Sequence, residues 1–363
     1  MHRTLLLAAT AALAVSAASL GAQDKAPQAN SGRPTFGADG TVQVPAFELP
    51  ASALSSPEAR AAQAARAKMT GGAPPNDVPI DVMRRGLEMR LAPQVAEMRK
   101  LYPVDIVDQL IDGVPTRIVK PLGRDFDNTR LLINLHGGAF SICADACALL
   151  ESIPIAALGG FEVITINYRM GPEAKHPAAL EDVEKVYRRL LPRHKASSIG
   201  IYGCSAGGAL TAQTAAWLPK HGLPQPGAIG IFGAGGVRFM SGDSAYIAGY
   251  IDGSFPPPPK PGEVRGDMTR GYFSTAEKDD PVISPALHPE IMAKFPPALI
   301  ITGTRAMDMS PAIVTNSALI KAKVPSTLIV GEGMGHCYIY QSNLPEARDA
   351  HQAIVDFFRA NLK

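Results

Sequence analysis

Short, almost continuously apolar runs alternate with longer amphipathic stretches from residue 104 to the end of the chain. The first two runs, 104–110 and 114–119, are separated by Asp112-Gly113, which predicts a hairpin. Six further runs predict strands at 130–135, 161–167, 198–202, 227–232, 298–302 and 326–330. Apolar strands that alternate with helices are typical of a parallel sheet covered on both faces. The pattern therefore predicts an α/β fold with an eight-stranded, mostly parallel sheet and helices on both faces.

Helical spacing of apolar residues fills most of the intervals between these strands. It predicts helices at 144–158, 182–191, 209–218, 312–323 and 346–361. Two more predicted helices, 56–68 and 81–100, precede the first strand, so we expect them to form an N-terminal helical cap. The apolar stripe of the second is Val82, Leu87, Met89, Leu91, Val95 and Met98. The proline-rich stretch 235–297 predicts an irregular wall for a ligand cleft.

Residues 1–22 have the three parts of a secretory signal peptide. A short basic lead with Arg3 is followed by an uncharged apolar core at 5–15 and by small residues up to Ala22. An uncleaved anchor is the alternative, but the core is shorter than the roughly 20 residues that span a bilayer. We therefore expect a secreted or periplasmic protein with no stable membrane insertion after cleavage.

Composition argues against nucleic acid as a partner and against a fold held together mainly by disulfides. The 363 residues are 19% charged with a net charge of +2, so no basic excess indicates nucleic-acid binding. Four cysteines are too few for a disulfide scaffold. Cys143 and Cys147 are close enough to pair if the backbone between them is irregular, and this is left open. Cys204 and Cys337 allow a zinc pair, but no Cys/His cluster with metal spacing accompanies them.

The strand at 198–202 leads directly into residues 203–208, Gly-Cys-Ser-Ala-Gly-Gly, and then into a helix. This is the strand, turn and helix context of a nucleophile elbow, with Ser205 as the nucleophile. A glycine-rich loop without chemistry is the alternative interpretation, since the chain has 34 glycines. A serine hydroxyl needs a base and oxyanion donors before it can attack a carbonyl. A catalytic Ser205 therefore requires those groups elsewhere in the chain.

A base and an acid follow Ser205 in the order that α/β-hydrolases use. His336, in the Gly-Met-Gly-His-Cys segment at 333–337, comes shortly after the last predicted strand and is the predicted general base. Asp308 is the only carboxylate in the loop 303–310 and is the predicted acid, although a helix N-cap is an alternative role for it. Glu332 is the rival acid because it lies near His336 in the sequence.

The oxyanion donors are predicted in a second glycine-rich loop, His-Gly-Gly-Ala-Phe at 136–140, which follows the strand 130–135. The backbone N–H groups of Gly137 and Gly138, with that of Ala206, would form a three-donor hole. His136 is predicted to hold this loop by hydrogen bonds. It is not the predicted base, because in this fold the base rarely precedes the nucleophile along the chain.

The order of these motifs along the chain resembles that of the hormone-sensitive lipase-like family of α/β-hydrolases, in its bacterial carboxylesterase and arylesterase branch. The resemblance runs from residue 104 to the C-terminus and includes Tyr-Arg-Met-Gly-Pro-Glu at 168–173 and Asp-Pro at 280–281. It implies an N-terminal helical cap, a Ser-Asp-His triad and hydrolysis of short-chain esters. It also implies that Tyr168, Arg169 and Glu173 form a buried polar network behind the site.

Three positions depart from the pattern of this family. Ala139 stands where a third glycine is usual, Cys204 where an aspartate is usual, and Ala306 where the acid of the triad is usual. We interpret the last departure as a relocation of the acid to Asp308.

The sequence therefore predicts a secreted serine carboxylic-ester hydrolase that acts on short- to medium-chain acyl esters through an acyl-enzyme. The alternatives are a non-catalytic ligand-binding protein of the same fold, and an acyltransferase or lactone hydrolase with the same triad. The predicted parts are a signal peptide at 1–22, a linker and helical cap at 23–100, and the α/β-hydrolase catalytic domain at 101–363. We expect a small-molecule ester as the partner and no cofactor or metal, and we leave a homodimer open.

Overall fold

A computed structural model of the chain describes residues 32–66, 78–123, 127–253, 266–277 and 280–363. The predicted signal peptide at 1–22 lies outside the described residues. The chain divides into two compact units, one ending at Pro50 and the other running from Ala51 to Lys363. The first contains an antiparallel pair of two-residue strands, β1 (Thr35–Phe36) and β2 (Val42–Gln43), which are too short to give a recognisable pattern in the sequence.

The second unit is organised around an eight-stranded sheet in the order β10-β9-β8-β7-β5-β6-β4-β3. Its strands are β3 (Val104–Ile111), β4 (Val114–Pro121), β5 (Asp127–Leu135), β6 (Phe161–Ile166), β7 (Ile199–Cys204), β8 (Ala228–Phe232), β9 (Ala298–Gly303) and β10 (Ser326–Gly331). Strand β4 is antiparallel to both β3 and β6, and all other neighbouring pairs are parallel. The predicted eight-stranded, mostly parallel sheet is confirmed.

Helices cover both faces of this sheet. They are α1 (Pro57–Arg66), α2 (Ile80–Leu101), α3 (Ala146–Gly159), α4 (Ala178–Leu190), α5 (Ala206–Lys220), α6 (Ala248–Asp252), α7 (Pro289–Met292), α8 (Met309–Lys321) and α9 (Pro345–Asn361). Side chains of α4, α5 and α8 belong to one hydrophobic cluster, and those of α3 and α9 belong to another. Strand β5 supplies Leu131, Ile133 and Leu135 to the first cluster and Leu132 to the second, because successive side chains of a strand point to opposite faces.

Polar contacts attach helix α2, the longer of the two predicted cap helices, to the rest of the second unit. Glu88 accepts hydrogen bonds from the N–H groups of Asp145 and Ala146, where α3 begins. A carboxylate is favourable there because the first N–H groups of a helix lack helical partners. The predicted apolar stripe of α2 is only partly buried, since Met98 is enclosed while Val82 and Met89 are exposed. Within the described part of the chain, no helix has the length and apolar character needed to cross a membrane.

Candidate active site

Ser205 lies in the turn between β7 and α5, at the carboxyl end of the sheet. Its backbone has φ 60° and ψ −122°, a strained conformation for a residue with a side chain and one that a nucleophile elbow requires. A Cβ atom at Gly203 or Gly207 would overlap the carbonyl oxygen of Leu135, so glycine is required at both positions. Helix α5 begins at Ala206, earlier than the predicted 209, because these glycines allow its first turn to pack closely against β5.

His336 and Asp308 form a continuous line of hydrogen bonds with Ser205. The His336 Nε2 is 2.9 Å from the Ser205 Oγ, and its Nδ1 is 2.6 Å from the Asp308 Oδ1. Because an ionised carboxylate can only accept, Nδ1 carries the proton and Nε2 is left to accept from the serine hydroxyl. Asp308 is 1% exposed, and its Oδ2 accepts from the Thr302 hydroxyl at 2.5 Å.

The two acid candidates have different surroundings. Asp308 contacts His336, whereas the Glu332 carboxylate is exposed and accepts a hydrogen bond from the Ser52 hydroxyl at 2.7 Å. The structure therefore brings Asp308, and not Glu332, to the imidazole. Asp308 also directly precedes helix α8, but its side chain makes no capping hydrogen bond to that helix.

The predicted oxyanion loop, residues 136–140, differs from the prediction at its first glycine. The Gly137 N–H donates to the Glu151 carboxylate at 2.9 Å, so the prediction that it donates to an oxyanion is corrected. Within the described residues, no acceptor is bonded to the N–H groups of Gly138, Ala139 or Ala206. Ala139 has φ 54°, a left-handed conformation that favours glycine.

His136 lies under this loop and is fully buried. Its ring stacks on Tyr168, with centroids 4.2 Å apart, and its Nδ1 is 2.7 Å from the Gly137 carbonyl oxygen. Burial lowers the pKa of His136 to about 4, so the imidazole is neutral at pH 7. These contacts match the holding role predicted for His136.

In the described part of the chain, the polar network predicted behind the site does not form, because Tyr168, Arg169 and Glu173 each bond to other residues. Tyr168 is buried and donates to the His136 carbonyl oxygen at 2.7 Å. The Arg169 side chain is 48% exposed and pairs with Glu181 and Asp182, and Glu173 is 57% exposed. Glu173 instead pairs with Arg84 of helix α2 at 2.8 Å, and Arg84 also donates to the Ser141 carbonyl oxygen, next to the loop 136–140. The prediction of a buried network is therefore wrong, since only Tyr168 is buried and the charged ends of Arg169 and Glu173 face solvent.

All four cysteines form disulfides. The sequence left the first pairing undecided and gave no indication of the second. Cys143 pairs with Cys147, and Cys204 pairs with Cys337. The zinc pair considered for the latter two residues is therefore wrong. The second bridge joins the residue before Ser205 to the residue after His336, so it links the two segments directly. Among the described residues, no group of three or more His, Cys, Asp or Glu side chains is arranged to hold a metal ion.

The chain matches a protein-family model described as the α/β-hydrolase fold over residues 132–340. This match covers more than half of the chain and includes the oxyanion loop, the elbow, Asp308 and His336. The chain belongs to the α/β-hydrolase fold family. The family predicted from the motifs is confirmed.

An acetyl-hydrolase and several solved esterase structures are similar to this chain over most of its length. An acetyl-hydrolase of Streptomyces hygroscopicus is 27% identical over 249 residues, which are 66% of this chain and 78% of that protein. The crystal structure of an esterase, E25, has a TM-score of 0.76 and 26% identity, covering 88% of this chain and 99% of its own. An esterase of the bacterial hormone-sensitive lipase family shares the fold, with a TM-score of 0.70 at 24% identity, covering 85% and 99%. The enzyme class is the predicted one, a carboxylic ester hydrolase.

Proposed function

We propose that this α/β-hydrolase is an exported serine esterase that hydrolyses short- to medium-chain acyl esters with Ser205, His336 and Asp308 as its catalytic triad. The observation that carries the proposal is the unbroken line of hydrogen bonds from the Ser205 hydroxyl through His336 to the buried Asp308 carboxylate. A serine on a strained elbow at the end of such a line has the geometry of an activated nucleophile.

The proposed reaction has an acylation step and a deacylation step. The Ser205 Oγ attacks the ester carbonyl carbon while the His336 Nε2 takes the hydroxyl proton. Asp308 holds the imidazole tautomer and stabilises the imidazolium, which then protonates the alkoxide that leaves as an alcohol. Water, deprotonated by His336, attacks the acyl-enzyme, and the imidazolium then returns this proton to the Ser205 Oγ as the carboxylic acid leaves.

The N–H groups of Gly138, Ala139 and Ala206 are the proposed donors to the oxyanion. The first two follow Gly137, where an added Cβ would lie 3.4 Å from the Ser205 Cβ, so this loop runs beside the nucleophile. Ala206 begins α5, and the first N–H groups of a helix have no helical acceptor. An oxyanion beside Ser205 would supply the acceptor that these groups lack among the described residues.

Two features support export of the enzyme to an oxidising compartment, outside the cell or in the periplasm. The leader sequence at 1–22 has the pattern of a cleaved signal peptide. The four cysteines are all in disulfides, which persist in secreted and periplasmic proteins and are rare in the cytosol. The homodimer left open by the sequence stays a prediction.

A preference for short acyl chains is proposed from one relative, and an apolar acyl group is proposed from one contact. The Phe239 ring lies edge-on to the His336 ring, with centroids 5.9 Å apart, and provides an apolar surface beside the reacting atoms. The Streptomyces hygroscopicus relative is named an acetyl-hydrolase, which is a short-chain activity.

Hydrolysis of p-nitrophenyl acetate, butyrate and decanoate by the mature protein tests the proposal. We expect the two shorter esters to have the higher kcat/KM, and Ser205→Ala to lower kcat by roughly four orders of magnitude or more. Ser326→Ala is the matched control, because Ser326 begins β10 at the opposite end of the strand from the site and contacts Asn316.

Three results would contradict this function. Absence of turnover by the folded wild-type protein would favour the ligand-binding alternative. Transfer of most acyl groups to an added alcohol in preference to water would favour the acyltransferase alternative. Retention of activity in Ser205→Ala would show that the nucleophile is another residue.

A further inference from the structure

One buried carboxylate, Glu151, lies behind the loops that carry the proposed reacting groups. It is 2% exposed and stands in α3, whose other buried residues are mostly apolar. Its Oε1 accepts from the Gly137 N–H at 2.9 Å and from the Tyr340 hydroxyl at 2.6 Å. Its Oε2 accepts from the Cys204 N–H at 3.0 Å and from the Asn134 amide at 2.8 Å. All four partners donate, so together they match an acceptor with two oxygens.

Three of these hydrogen bonds lead to three separate segments of the site. Gly137 lies in the loop 136–140, and the next two N–H groups of this loop are proposed oxyanion donors. Cys204 directly precedes Ser205 in the elbow. Tyr340 belongs to the turn at Tyr338–Tyr340 that follows His336. One carboxylate thus joins the oxyanion loop, the nucleophile and the segment of the base.

We propose that Glu151 is a positioning residue of the esterase, which holds these three segments at the separation that the reaction needs. It acts through its neighbours and does not touch substrate. The inference rests on the proposed function, since it assigns Glu151 a part in that reaction. A displacement of oxyanion donors or nucleophile by about 1 Å can cost on the order of a hundredfold in rate, which gives such a residue its importance.

The charge of Glu151 is set by opposing effects. Burial raises its pKa to about 7, and the four hydrogen bonds act in the opposite direction because they favour the ionised form. The neighbouring Tyr340 has a pKa raised well above 10 by burial, so it remains a neutral donor. Burial also raises the pKa of the nearby Tyr168 and Tyr202 hydroxyls, which stay neutral.

Glutamine at this position has the shape of glutamate but replaces one acceptor oxygen with an NH₂ donor. Either orientation of that amide places its NH₂ against a backbone N–H, because Gly137 donates to one oxygen and Cys204 to the other. Glu151→Gln is therefore expected to displace either the oxyanion loop or the elbow, with little change in side-chain volume.

The experiment compares wild type, Glu151→Gln, Tyr340→Phe, the double variant and Ser152→Ala on p-nitrophenyl butyrate. The kcat is expressed per active site, counted by titration with an organophosphonate, and Tm is measured for each protein. We expect Glu151→Gln to lower kcat on the order of 10- to 100-fold with KM within about threefold of wild type. Tyr340→Phe is expected to lose several-fold, and the double variant no more than Glu151→Gln, since both substitutions remove the same link.

Ser152→Ala is the matched control on the same helix. Its buried hydroxyl donates to the Ala148 carbonyl oxygen within α3 at 2.6 Å, so we expect wild-type kcat. A residue that merely supports the core would lower Tm or the number of active sites and leave kcat per site unchanged.

Wild-type kcat per active site in folded Glu151→Gln would overturn the proposal. If that variant does not fold, Tyr340→Phe decides: a several-fold loss of kcat at unchanged Tm supports the proposal, and wild-type kcat overturns it. Failure of the proposed function would look different, because the wild type would then lack turnover or Ser205→Ala would retain it.

Discussion

At the scale of single residues, the proposed chemistry depends on where the acid stands. The usual position of the acid in hormone-sensitive lipase-like enzymes holds Ala306, and the carboxylate follows at Asp308. The loop between β9 and α8 still brings this carboxylate to the imidazole, at 2.6 Å from the His336 Nδ1. The Thr302 hydroxyl fixes its other oxygen at 2.5 Å. The loop conformation therefore compensates for the shift of the acid from position 306 to position 308.

Replacement of this acid gives a prediction with a matched control. Asp308→Asn is expected to lower kcat on the order of a hundredfold or more. An asparagine amide no longer favours the tautomer with the proton on Nδ1, so the His336 Nε2 is not kept free to accept the serine proton. Glu332→Gln should remain close to wild type, since the Glu332 carboxylate is exposed and bonded to Ser52. Steady-state kinetics on p-nitrophenyl acetate would distinguish the two, and the reverse result would assign the acid to Glu332.

At the scale of elements, the sequence predicted what depends on local pattern. The apolar runs predict the eight strands. The glycines of the elbow predict its turn, because they allow close contact with β5. The Cys204–Cys337 disulfide could not be predicted, because its cysteines are 133 residues apart and meet only once the sheet is ordered. Glu151 was missed for a related reason, although a lone carboxylate in an apolar helix was a visible signal. Its four donors come from other segments of the chain, and only the assembled fold places them together.

The two disulfides close loops of very different length, which predicts different effects on stability. In the chain-entropy model, a bridge with a separation of 133 residues stabilises by about 5 kcal/mol and one with a separation of 4 by about 2 kcal/mol. Cys204→Ala/Cys337→Ala should therefore lower the free energy of unfolding more than Cys143→Ala/Cys147→Ala, as measured by urea denaturation. Equal losses, or a larger loss for the short loop, would contradict this expectation.

At the scale of the whole molecule, three fully buried titratable groups contribute to the change of stability with pH. Burial lowers the pKa of His136 and of His351 from 6.5 to about 4. Between those values the unfolded chain binds protons that the folded chain does not, so stability falls as the pH falls. Burial raises the pKa of Glu151 from 4.5 to about 7, which has the opposite sign in nearly the same window. Two histidines oppose one carboxyl, so these groups together make the enzyme less stable in acid.

Removal of one buried histidine should reduce this acid sensitivity. The His351 Nε2 is 2.8 Å from the Ile339 carbonyl oxygen, and glutamine can donate the same hydrogen bond without titrating. In His351→Gln the slope of unfolding free energy against pH between 5 and 6 should fall by about 1 kcal/mol per pH unit. Urea denaturation across this range measures the slope, and an unchanged slope would show that His351 is not held neutral by the fold.

Activation of the Ser205 nucleophile by His336 can be tested by covalent labelling. The mature protein is treated with a p-nitrophenyl organophosphonate, and the modified residue is located by peptide mass spectrometry. We expect one phosphonyl group per chain on Ser205, with labelling slowed on the order of a thousandfold or more in His336→Ala. No adduct on the folded wild-type protein, or an adduct on another residue, would show that Ser205 is not the activated nucleophile.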